Sequence, residues 1–211
     1  SRSLLRQVPK RLYYEKTLVS YLLKHPGDYI GAFRCLEKNI RRFFIQAFQA
    51  YLFNRSLSLR IKERLPLRRP LEGDYVVLSE TPFAMRILKV SSNNKNEIME
   101  AVKKGKASLA LNVFGYNTQL AGGPQGDIEK RVLETENISL EDFQVKHFPE
   151  ARVKGYYRPA LMPVENFKPL GIFKEGDFYS LKLSFILRKG FYATVVLREI
   201  MKPDNIVAAG F

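Results

Sequence analysis

Apolar and polar positions alternate most cleanly over 180–187, where Leu181, Leu183, Phe185 and Leu187 interleave with Ser180, Lys182, Ser184 and Ile186. Period-2 patterning predicts a strand with one buried face. Arg188, Lys189 and Gly190 break it, and only Gly190 can take positive φ cheaply. From Tyr192 the period lengthens: Ala193, Val196, Leu197 and Ile200 make a helical stripe, which Pro203 ends. A buried strand therefore meets a helix at a basic-Gly-aromatic turn. Side chains at such a turn face a cleft, which suits a ligand site.

Upstream, Tyr14, Leu18, Tyr21 and Leu22 predict a helix over 13–24, closed by the His25-Pro26-Gly27-Asp28 turn. The longest helical pattern covers 38–61. Its expected core face is Ile40, Phe43, Phe44, Ala47, Phe48, Tyr51, Leu52 and Leu59; its expected solvated back is Arg41, Arg42, Arg55, Arg60 and Lys62. Pro66 and Pro70 mark a linker that exposes Arg68 and Arg69. Short strands follow at 75–78 and 85–90 around a Pro82 turn, then a helix at 97–104 and a strand at 107–113. This β-helix-β alternation predicts a mixed α/β domain within an α+β fold class: helices with a small mixed sheet. Gly122, Gly123, Pro124 and Gly126 read as a loop before a helix opening at Asp127. Ser139 to Asp142 reads as a capping-box start. A strand with a Gly155 break is expected over 153–162, and 167–177 reads as a connection.

Charge changes the picture more than composition does. Residues 1–70 hold 16 Lys/Arg against 4 Asp/Glu, a net of +12, while 71–211 hold 19 against 17. A one-sided basic excess points to a polyanion, most commonly nucleic acid bound through counterion release. The alternative is a solvated basic surface. Arg41, Arg42, Arg68 and Arg69, expected to face solvent, are the candidate phosphate contacts. Lys154, Tyr156, Tyr157 and Arg158 mix base and aromatic as RNA stacking requires, although buried tyrosines in a two-sided strand fit equally. Arg188 and Lys189 add two cations at the strand-helix turn.

The chain has one cysteine and two histidines, so no internal disulfide and no zinc-spaced ligand cluster can form. A reducing, cytoplasmic setting fits. No apolar run reaches the ~18 residues of a membrane span. There is no Walker sequence after the Gly-rich loop, no nucleotide fingerprint and no Gly-x-Ser-x-Gly elbow. Three functional classes stay open: part of an RNA-modifying enzyme, a non-catalytic RNA-binding module, and a basic peripheral membrane protein. The last needs exposed apolar residues beside the basic face.

The stretch FILRKGFYATVVLREIMK resembles the C-terminal motif of the TruD family of tRNA pseudouridine synthases. YYEKTLVSYLLKHPGDYIGAFRCL, RRFFIQAFQAYLFNRSLSLRI, FGYNTQLAGGPQGDIEKRVLE and VKGYYRPALM are similar to four further segments of its archaeal branch, in order. In the second, Ala47, Gln49, Tyr51, Leu52, Phe53, Asn54 and Arg60 stand where the family has them.

The resemblance implies that residues 1–165 form the family's insertion domain and that 166–211 return to the catalytic sheet, leaving a strand edge unpaired. It implies a cofactor-free isomerisation of one tRNA uridine. An aspartate assists C1′–N1 cleavage, the uracil turns, and it rejoins through C5. It implies that Tyr192 lies beside the target uracil. Arg198, two helical turns on, is expected from its position to face the same cleft and to pair with the aspartate or a phosphate. The family's Gly-x-Lys-Asp segment, which carries the aspartate, is absent from these 211 residues. Asn112-Val113-Phe114-Gly115 imitates the family's Asn-Tyr-Phe-Gly but falls in the expected insertion. The implied reading is a C-terminal part, inactive alone, that lacks the N-terminal catalytic segment.

Overall fold

The structure is a computed structural model and describes residues 9, 12–81, 84–188 and 191–210. It divides into two compact units, Ser1–Ala160 and Leu161–Phe211. In chain order the first contains α1 (Tyr13–Leu22), α2 (Tyr29–Arg34), α3 (Lys38–Lys62), β1 (Tyr75–Thr81), β2 (Ala84–Lys89), α4 (Lys95–Lys103), β3 (Ala107–Val113), α5 (Gly123–Thr135) and β4 (Tyr156–Pro159). The second contains β5 (Glu165–Glu175), β6 (Phe178–Ile186) and α6 (Ala193–Met201). The architecture is α+β, as expected.

The four strands of the first unit run in the order β2-β1-β3-β4, and every pairing is antiparallel. The sheet is therefore not mixed. The predicted β-helix-β alternation is present as β2-α4-β3, but β1 lies between β2 and β3. β3 is the sheet's centre of burial, with Leu109, Leu111 and Val113 packed on Phe53 of α3. The alternate residue Asn112 reaches the other way, to Glu129 on α5. Covering on both sides explains why β3 reads as a near-continuous apolar run.

α3 buries a different face from the one its sequence suggests. Arg41, Gln49, Leu52, Phe53, Ser56 and Arg60 are buried, whereas Phe43 is 62 % exposed and Phe44 43 %. The apolar stripe was wide enough to admit either rotation. The outcome follows the polar residues: Arg60 forms a bidentate pair with Asp74 at 2.8 and 2.7 Å, and Gln49 donates to the Phe114 carbonyl. Arg60, expected on the solvated back, is fully buried.

The Gly-rich stretch is only partly a loop, since α5 starts at Gly123 with Pro124 in its first turn. Proline is tolerated there because it lacks only an N–H that the helix leaves unbonded. The loop is anchored where Gly122 N donates to the Gly73 carbonyl at 2.8 Å. Gly73 has φ +90°, and a Cβ there would lie 2.5 Å from the Gly122 carbonyl carbon. Ser139 N and Oγ both donate to Asp142 Oδ2 at 2.8 Å, so the capping box is real, but it opens a single 3-10 segment, Leu140–Gln144.

In the second unit 167–177 is a strand and not merely a connection: β5 pairs antiparallel with β6. β6 is also less buried than its alternation predicts. Leu183 and Phe185 are half-buried, while Leu181 is exposed. A two-stranded hairpin supplies too few neighbours for more. Ile172 and Phe178, 72 % and 79 % exposed, stand out from it, and among the described residues each strand has one unpaired edge.

Candidate nucleic-acid interface

Of the four arginines expected to face phosphates, three are exposed: Arg42, Arg68 and Arg69. Arg41 is not. Its Nε donates to Glu150 Oε1 at 2.9 Å and its Nη2 binds the same oxygen. Its Nη1 donates to the carbonyls of Arg34 at 3.1 Å and Leu36 at 2.6 Å, which leave the end of α2. Its guanidinium lies 5.4 Å from the Phe148 ring centre. Those contacts, which hold the Glu150 carboxyl below its ordinary range, use Arg41 to tie α2, α3 and the 149–151 turn together. The sequence could not separate Arg41 from Arg42, because adjacent helical residues point about 100° apart and the helix's rotation was unknown.

The 154–158 cluster also splits. Lys154 is exposed. Tyr157 is half-buried against Tyr75, ring centres 4.6 Å apart. Burial, then a hydrogen bond with Tyr75, push its phenol well above the usual range. The Arg158 guanidinium covers the buried Phe53 ring at 5.1 Å and its Nη2 donates to the Tyr156 hydroxyl at 3.3 Å. Neither Tyr157 nor Arg158 presents the open stacking pair that their sequence suggests. The exposed ring in this segment is Tyr156.

Below the sheet a buried polar network holds the Gly-rich loop. Arg60 donates to the Pro66 carbonyl from Nε at 3.2 Å and Nη2 at 2.9 Å, and from Nη1 to Gln125 Oε1 at 3.0 Å. Glu129 accepts from Ala121 N at 2.8 Å, Asn112 Nδ2 at 3.0 Å and Gln125 Nε2 at 3.3 Å. Burial raises the Glu129 carboxyl above its ordinary range, opposed by those bonds. Asn112 is thus a core residue of the first unit. Sequence reading missed the network. Its signal was the spacing of Gln49, Phe53, Ser56 and Arg60 at i, i+4, i+7 and i+11, which is one helical face.

In the second unit Tyr192 is the N-cap residue of α6, with extended backbone and a ring 63 % exposed. Its side chain makes no capping bond, and its carbonyl accepts from Val195 N at 3.1 Å. The ring is therefore available. Val196, on the predicted stripe, is buried, and Arg198 is half-buried. Arg188 Nε donates to Glu165 Oε1 at 3.1 Å, both residues being exposed. An exposed pair of this kind is weak and a phosphate can displace it. Lys189 lies outside the described residues, as do Gly190 and Pro82.

Residues 1–200 match the family described as tRNA pseudouridine synthase D (TruD). A protein of Methanosarcina acetivorans described as "Probable tRNA pseudouridine synthase D" is 38% identical over 209 residues, 96% of this chain and 47% of that protein. One from Methanopyrus kandleri with the same description is 39% identical over 204 residues, 97% of this chain and 43% of that protein. A crystal structure from Methanosarcina mazei, described as "Putative tRNA pseudouridine synthase D (TruD)", superposes with a TM-score of 0.81 at 36% identity, covering 96% of this chain and 47% of that one. The chain spans about half the length of these relatives. With a family match along almost its whole length and a shared fold, the chain belongs to the TruD family of tRNA pseudouridine synthases.

Proposed function

We propose that this chain takes part in isomerising a uridine in tRNA to pseudouridine, supplying RNA contacts and one wall of the uracil site. The family match over residues 1–200 carries the reading. Residues 1–165 act as the insertion domain and 166–211 as the C-terminal segment of the catalytic sheet. In the reaction the C1′–N1 bond breaks, C1′–C5 forms, C5 loses its hydrogen as a proton, and N1 gains one. The aspartate that assists cleavage comes from a segment outside these 211 residues, so the chain alone binds tRNA without isomerising it. No small-molecule cofactor enters.

Tyr192 is the residue placed against the base. An enzyme that detaches uracil must hold it out of the stack while it turns. A flat ring restrains tilt, permits in-plane rotation, and is worth roughly 1–3 kcal/mol per base. Arg198 pairs with the aspartate or a phosphate. Arg42, Arg68, Arg69, Lys154, Arg188 and Lys189 contact the RNA backbone. Arg41, Tyr157 and Arg158 leave this set because their side chains are engaged within the protein.

The test is tritium release from tRNA labelled at uracil C5. The chain alone should release none, and release by it would overturn the division of labour. In the enzyme that carries the aspartate segment, Tyr192→Ala should cut turnover strongly while leaving tRNA affinity and melting temperature nearly unchanged, since the ring is exposed and uncapped. Tyr192→Phe should stay active. Normal turnover in the alanine variant, or equal damage from phenylalanine, would remove the stacking role.

A further inference from the structure

The outward face of α3 carries aromatic surface that the described residues of the first unit leave partly open. Phe43 and Phe44 are exposed at its start and Tyr51 follows two turns on, 44 % exposed. The rings are not loose. Phe44 lies 5.9 Å from Phe33 and 6.5 Å from Phe43, in a tilted and an edge-to-face arrangement. Tyr51 donates to Glu136 Oε1 at 2.8 Å and lies over Phe48 with ring centres 6.0 Å apart. The side chains are therefore held before any partner arrives, which lowers the ordering cost of binding.

What surrounds them decides the partner. Residues 34–62 contain seven Lys/Arg and one Asp/Glu. Arg41, Arg55 and Arg60 are paired with Glu150, Glu136 and Asp74. Arg34, Lys38, Arg42 and Lys62 are exposed and in no ion pair among the described residues, the Arg34 guanidinium lying 5.9 Å from the Phe148 ring centre, with Glu37 as the one carboxylate of the segment. The centre of a protein-protein interface is depleted in lysine and poor in uncompensated charge. Exposed rings set among unpaired cations match a chain that is both anionic and stackable, which is single-stranded nucleic acid.

We infer that the start of α3 is a stacking site for unpaired nucleotides, with Phe43 and Phe44 taking base faces and Arg34, Lys38 and Arg42 taking the flanking phosphates. It rests on the tRNA-binding reading above and goes beyond it. The site lies on the first unit and is distinct in role from Tyr192, because it selects unpaired RNA without touching the reacting uracil.

The probes are a 12-nucleotide single-stranded RNA carrying 2-aminopurine, the same sequence as a duplex, and a tRNA transcript, each titrated with the full chain over a salt series. The single strand should bind tighter than the duplex, with 2-aminopurine fluorescence quenched on binding. Phe43→Ala/Phe44→Ala should lower single-strand affinity about thirtyfold or more and abolish the quench, with the salt slope unchanged. Phe43→Tyr/Phe44→Tyr should restore both. Lys38→Ala/Arg42→Ala should do the reverse: keep the quench and flatten the salt slope by about 0.7 for each phosphate no longer neutralised. A double alanine variant that keeps wild-type affinity and quench overturns the site. So does one whose only change, by sedimentation, is in self-association, because the face would then meet a second copy. Wild-type binding of tRNA with no preference for the single strand would sink this inference and leave the proposed function standing. Failure of the wild type to bind any of the three would sink both.

Discussion

Arg60 offers the sharpest contrast between what charge suggests and what packing requires. Replacing it with methionine keeps most of its apolar stem and removes five hydrogen bonds, two of them to Asp74. Asp74 would then keep a buried carboxylate with, among the described residues, only the Leu71 N–H donating, at 2.7 Å. Breaking one side of a fully buried pair costs about 3–5 kcal/mol, because the partner's charge is left without compensation. For a chain of this size each kcal/mol moves the melting temperature by roughly 2–4 °C, so Arg60→Met should melt about 10 °C lower. Removing both partners, as Arg60→Met/Asp74→Leu, should recover part of the loss, since the isolated charge goes with its mate. A calorimetric melt measures the first effect, and a salt series of tRNA binding, at a temperature where the variant is folded, measures the second. The salt slope should not change, because Arg60 touches no solvent. A melt within about 2 °C of wild type, or a slope that falls by about one counterion, would refute the structural role and return Arg60 to the basic surface.

Arg42→Ala/Arg68→Ala/Arg69→Ala should weaken binding of different tRNAs by similar factors and flatten the salt slope, whereas Arg41→Ala should lower the melting temperature and leave the slope alone; filter binding over a salt series beside a thermal melt separates them. Glu129 is held above the ordinary carboxyl value of 4.5 by burial, so its contribution to stability is full at pH below that value and falls as pH rises through its folded value. Glu129→Gln should therefore flatten the wild type's loss of stability toward neutral pH, read from urea midpoints over a pH series; superimposable curves would overturn this.

The sequence by itself determined the local facts and the family. Period-2 patterning marked the strand at 180–187 and period-3.6 patterning marked α1, α3 and α6, because the buried side of each element repeats with its own backbone geometry. The strands at 75–78, 85–90 and 107–113 and the helices α4 and α5 were read from residue types and turn signals. Pro203 stopped α6 where expected, and the backbone turns left-handed at Lys202. The segment matches identified the family before any coordinates. α2 and the strand character of β5 were less legible. The first is a single short turn-and-a-half, and the second is interrupted by Pro169 and Gly171 where its register shifts.

Tertiary structure decided rotation and partnership. Whether α3 would bury Phe43 and Phe44 or Gln49, Phe53 and Arg60 depended on Asp74 and on the Phe114 carbonyl, which are far away in sequence and close only once β1 and β3 are paired. The same holds for Arg41, whose fate was settled by Glu150, 109 residues on. Period tells which residues share a face, but not which face turns inward when a helix carries two plausible ones. That choice goes to the arrangement that satisfies buried charge and hydrogen bonds, because leaving either unpaired costs more than exposing a phenyl ring. Here it left aromatic rings on the surface.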